Sequence, residues 1–79
     1  AALRLVARLT ERERAVLVLM AEGLANTDIG ARVHLSLGTV KGHVTAILAK
    51  LQVGSRVQAA LVAERAGLLR TAAQDGGTG

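Results

Sequence analysis

Apolar residues recur along this chain at helical spacings, and no stretch shows the alternation of a strand. Thr10, with Glu13 three residues later, predicts a capping box that opens a first helix over about 11–22. Val16, Leu17 and Met20 supply its buried stripe, and Gly23 is placed to end it in the left-handed conformation. Ile29 and Val33, four apart, mark one face of a short second helix capped by Asn26 or Thr27. Ser36 is the next cap, and Val40, Val44, Ile47, Leu48 and Leu51 form the apolar face of a third helix over about 37–52. Only His34, Leu35 and that cap separate the second helix from the third, so the two must cross in the spacing of a helix-turn-helix.

Val53-Gly54 breaks the chain, Ser55 caps a fourth helix over about 56–66, and Gly67 closes it before Leu68 and Leu69 fold back. This helix carries apolar residues on two sides. Val57, Ala60, Leu61 and, past the cap, Leu68 suit the domain core, whereas Ala59, Val62, Ala63 and Ala66 follow i, i+3, i+4, i+7 and offer a face for a second helix. Residues 1–8 read as a linker from an N-terminal domain or as an extra short helix, residues 9–69 as the folded domain, and residues 70–79 as a disordered tail. The chain starts Ala1-Ala2-Leu3 without Met, so a partner domain is expected upstream.

Seventy-nine residues bury enough apolar surface for one small core and no more. The absence of Pro and of aromatic residues, with abundant Ala, Leu, Arg and Glu, points to an all-α fold. Without cysteine there is no disulfide framework and no thiolate metal site. No apolar run approaches the roughly 20 residues of a membrane span, and Arg4 and Arg8 interrupt any signal peptide, so a soluble cytoplasmic protein with no membrane partner is expected. Catalysis finds no support: there is no Cys, no glycine-rich loop ending in Gly-Lys, and no carboxylate pair on one helix face. His34 and His43 are nine apart with no acid between them, so neither metal nor cofactor is implied.

The formal charge of +4 gains meaning from its placement. No acidic residue lies between Asp28 and Glu64, a stretch that holds Arg32, Lys41, Lys50 and Arg56 together with His34 and His43. Such a field suits a polyanion, and a solvated face with a chance gap in acids would read the same way, so charge placement alone does not decide between them. With the apolar face of the third helix turned inward, Gly38, Gly42, Thr45, Ala46 and Ala49 point outward, flanked by Lys41 on one side and by His43 and Lys50 on the other. This bare face lets the helix lie close to a groove floor, with Lys41 suited to a guanine acceptor pair and Thr45 to a thymine methyl. Ser36 and Thr39, at the helix N-terminus, suit a phosphate as well as capping. A stripe of small residues also suits close helix–helix packing; if the face meets DNA instead, the contacting set is Ser36, Thr39, Lys41, Gly42, Thr45 and Lys50, with sparse direct readout. His43, at the edge of the core face, is expected to be packed and hydrogen-bonded, and Arg56 to pair with Glu13 rather than with phosphate.

Taken together, Leu9-Thr10-x-Arg12-Glu13, Gly23-Leu24-x-Asn26-x-x-Ile29, Ser36-x-x-Thr39-Val40-Lys41-x-His43 and Ile47-Leu48-x-Lys50-Leu51-x-Val53-x-x-Arg56 resemble the LuxR-type helix-turn-helix domain, which also ends NarL-like response regulators. The likeness covers about residues 9–69. It departs at Glu11, where the family usually has Pro, at Ala46, where it has Asn, and at Ala25, where Ser is common. The resemblance implies a four-helix domain without a wing, whose third helix enters the major groove and whose fourth makes a homodimer, here through Ala59, Val62, Ala63 and Ala66. It implies sequence-specific binding of double-stranded DNA at two half-sites by the output domain of a bacterial transcriptional regulator, governed by an upstream receiver or ligand-sensing domain. The rival reading is a small helical module that docks a protein through the outer face of the fourth helix.

Overall fold

In the computed structural model, which describes residues 2–69, the chain is all-helical: α1 (Ala2–Ala7), α2 (Glu11–Ala21), α3 (Asn26–Val33), α4 (Leu37–Leu51) and α5 (Arg56–Arg65). The four expected helices are α2 to α5. Residues 2–7, where linker and extra helix were both open, form a helix that packs on α4 and α5 and buries Val6. The proposed tail at 70–79 lies outside the described residues. No strand, and hence no wing, occurs among the described residues.

The capping box at α2 forms in both halves. Glu13 N–H donates to Thr10 Oγ1 at 3.1 Å, and Thr10 N–H donates to Glu13 Oε1 at 2.9 Å. α3 starts differently from expectation, since its N-cap is Ala25, which has no side chain to cap with. Asn26 is already inside the helix and its carbonyl oxygen is taken by the Arg56 guanidinium, so it is not free to cap. α4 and α5 open as expected on Ser36 and Ser55, whose hydroxyls each accept the N–H three residues on at 3.2 Å.

Helix ends are sharp. Gly23 and Gly67 take positive φ, as their placement after α2 and α5 predicts. α3 and α4 stop on left-handed residues that are not glycine, His34 and Gln52, at φ of 59° and 60°. Each is followed by a residue whose N–H reaches back five positions: Leu35 to Gly30 O at 2.9 Å and Val53 to Leu48 O at 3.0 Å. The break after α4 thus falls at Gln52, two residues ahead of Gly54.

Val16, Leu17, Met20, Ile29, Val40, Val44, Ile47 and Leu51 are buried in one core, and Val33 and Leu48, read from the sequence into the same stripes of α3 and α4, are only partly buried and pack against it. α5 is the exception. Ala59 and Ala63 are fully buried inside the monomer and Val62 and Ala66 pack against the core, whereas Val57 is 71 % exposed and Leu61 46 %. The face expected at a dimer contact is therefore largely the inner face: Ala59 and Ala63 are not available to a partner, and Val62 and Ala66 keep only part of their surface exposed. α5 lies against both α2 and α1, and a helix wedged between two neighbours approaches closely only through its smallest side chains.

Gly30, buried in the middle of α3, is where the turn closes. A Cβ built on it would stand 2.6 Å from the backbone oxygen of Leu35, a contact that backbone cannot relieve cheaply. Gly30→Ala should therefore lower stability by about 1–3 kcal/mol despite the better helix propensity of Ala, read as an earlier midpoint in urea unfolding. A midpoint equal to or above wild type would show that the turn is not held by this approach.

Candidate nucleic-acid interface

α4 presents two unlike faces. Its core face is buried, while Gly38, Lys41, Gly42, Thr45 and Ala49 are exposed and Ala46 is partly so. A Cβ added at Gly38 or Gly42 would meet nothing within 4 Å, so that surface is open and shallow. The Thr45 hydroxyl donates to Lys41 O at 3.1 Å, which commits its proton and leaves an acceptor lone pair and a methyl group for a ligand. At the N-terminus, Ser36 Oγ and Thr39 Oγ1 lie 2.9 Å apart and share one hydrogen bond. One of the two O–H donors remains free beside the unpaired N–H groups of the first turn, an arrangement that suits a phosphate oxygen.

Lys50 is placed elsewhere. Its Nζ sits 2.7 Å from Glu13 Oε1, the same oxygen that accepts Thr10 N–H. Nine residues on a helix amount to half a turn beyond two full ones, so Lys50 lies across α4 from Lys41 and its charge is spent on a buried carboxylate. Sequence reasoning gave that carboxylate to Arg56. Instead the Arg56 guanidinium spans to Asn26 Oδ1 and to Leu24 O at 3.0 Å, tying α5 to the start of α3. Its role is structural, as expected, with different partners. His43 is half-buried at the edge of the core, as expected, but makes no side-chain hydrogen bond among the described residues.

Burial alone would raise the Glu13 carboxyl, but the hydrogen bond and charge of Lys50 and the bonds from Thr10 outweigh it and hold the group below its ordinary value of 4.5. A carboxyl depressed in the folded state adds stability above its unfolded value, and that stability is lost as pH falls through the folded one. Wild type should thus lose more thermal stability between pH 7 and pH 3 than Glu13→Gln does, the two converging in acid. Parallel melting curves against pH for both would remove this role from the pair.

Leu37, absent from the sequence-derived set, completes the surface. It is the first residue of α4 and is 42 % exposed, one turn ahead of Lys41. Both line a cleft whose other wall is the loop from Gly23 to Ala25 and the first residues of α3, Asn26 and Thr27, with Arg56 beside it. The available signal was its spacing of four from Lys41 and eight from Thr45; a wheel centred on the glycine-rich face passes over it.

A tight helix-turn-helix whose second helix turns a cation, small residues and an N-terminal hydroxyl pair outward defines the class of helix-turn-helix DNA-binding domains. The sequence profile of the bacterial regulatory proteins of the luxR family matches residues 7–63, and the chain belongs to that family. It is 49 % identical over 57 residues to the transcriptional regulatory protein LiaR of Bacillus subtilis, a match that covers 72 % of this chain and 27 % of that protein. To the response regulator protein VraR of Staphylococcus aureus and of Staphylococcus epidermidis it is 44 % identical over 62 residues, 78 % of this chain and 30 % of each relative. The chain thus spans less than a third of the length of these relatives.

The pairing of Lys50 separates it from Lys41 in the laboratory. Lys50→Ala should cost about 1–2 kcal/mol of stability, since it strands a buried carboxylate, and leave the salt dependence of DNA binding in place. Lys41→Ala should keep stability within about 0.5 kcal/mol while weakening DNA binding. Equal loss of DNA binding in both, at full folding, would put Lys50 back at the phosphates.

Proposed function

We propose that this chain is the output domain of a response regulator, which binds a regulatory DNA site as a homodimer and is governed by a receiver or ligand-sensing domain upstream. The observation that carries this reading is the outward face of α4, where Lys41 and Thr45 stand over a floor of Gly38, Gly42 and Ala49 with no acidic residue anywhere on the helix. A side-chain-poor helix sits deep in a major groove. Lys41 then addresses guanine acceptors, Thr45 an adjacent methyl or amino group, and Ser36 and Thr39 a phosphate at the groove edge. Few base contacts leave the rest of the specificity to DNA shape and to the spacing of two half-sites.

Dimer formation is assigned to the outer face of α5, where Val57 and Leu61 are exposed beside a shallow groove lined by Val53, Gln58, Val62 and Arg65. This apolar patch is small, so the pairing is weak in isolation and is strengthened when both half-sites are occupied. The names of the LiaR and VraR proteins, a transcriptional regulator and a response regulator, support the regulatory role, and the part of their length beyond this chain supports an upstream domain. No helix among the described residues is long and apolar enough to cross a membrane, which fits the cytoplasmic setting of a regulator of transcription.

Fluorescence anisotropy of the chain against a duplex at several salt concentrations tests this reading. Affinity should fall with a log–log slope of about −5 if a dimer neutralises about six phosphates, and Lys41→Glu should abolish binding. Absence of binding at low salt, or an affinity indifferent to salt, would instead favour a protein-docking module built on Val57 and Leu61.

A further inference from the structure

We infer that Leu37 is a specificity-determining residue that reads a thymine methyl group, an assignment that rests on α4 being the DNA-facing helix. Three observations carry it. Leu37 is 42 % exposed at the first turn of α4, on the surface that otherwise offers only small side chains and one cation. It heads the ridge Leu37, Lys41, Thr45, spaced four and four, so all three meet one stretch of groove. It also lines the cleft that Lys41 shares, so its side chain stands next to the group that addresses a base.

The chemistry then names the ligand. Among the groups that base pairs display in the major groove, all are hydrogen-bond donors or acceptors except the C5-methyl of thymine, and an isobutyl group can recognise only that one. The rise of four helical residues is about 6 Å, or close to two base-pair steps of 3.4 Å. The thymine read by Leu37 therefore lies about two pairs from the base read by Lys41. Thr45, with its hydroxyl proton tied to Lys41 O, reads the pair on the other side.

The test uses a duplex selected by this chain from a random library, with each thymine replaced in turn by deoxyuridine, which removes the methyl and nothing else. Wild type should lose about fourfold in affinity at one thymine in each half-site, the equivalent of one buried methyl. Leu37→Ala should bind the thymine duplex about as weakly as wild type binds the deoxyuridine one and should not distinguish the two. Its melting temperature should stay within a few degrees of wild type, which excludes misfolding as the cause. Wild-type binding with no thymine-to-deoxyuridine effect, or with every such effect persisting unchanged in Leu37→Ala, overturns the assignment and leaves the DNA-binding reading intact. Failure of wild type to select any sequence overturns both.

Discussion

The close passage of α3 over the turn at Gly30 is the constraint on which the arrangement depends. The Gly30 carbonyl accepts N–H groups from both His34 and Leu35, and its missing side chain makes room for the Leu35 carbonyl. Because the chain turns within that space, Ser36 arrives in position to cap α4, with Val40 packed beside Gly30.

The other end of α4 is fixed electrostatically. Lys50 reaches the Glu13 carboxylate, which is itself the second half of the α2 capping box, so one side chain ends the free N–H of Thr10 and anchors the recognition helix. Arg56 does the same for α5 and the start of α3. Both cations hold the scaffold together. The unpaired positive charge in the middle of the chain is therefore narrower than the acid-free stretch suggests, with Lys41 the exposed lysine of α4.

Helix positions and most of the core were legible because capping residues and apolar spacing act locally. Thr10 with Glu13, Ser36 and Ser55 each placed a helix start, and the stripes of α2 and α4 named their buried residues. What was not legible depended on neighbours. α5 has apolar residues on both sides, and the choice of Ala59 and Ala63 for the inside follows from how little room α1 and α2 leave, which no wheel of α5 alone contains. Likewise the sequence paired Glu13 with Arg56, and only the folded geometry gives it to Lys50 and sends Arg56 to Asn26. Leu37 was passed over because exposure of a leucine at a helix start is a tertiary property.

The central claim is that the glycine-lined face of α4 meets DNA, and the most direct measurement is a titration of the isotopically labelled chain with duplex DNA followed by amide resonances. The account predicts that Leu37, Gly38, Lys41, Gly42, Thr45 and Ala49 move first and furthest, at sub-stoichiometric DNA. Shifts confined to the outer face of α5 around Val57 and Leu61, with α4 unmoved, would contradict it.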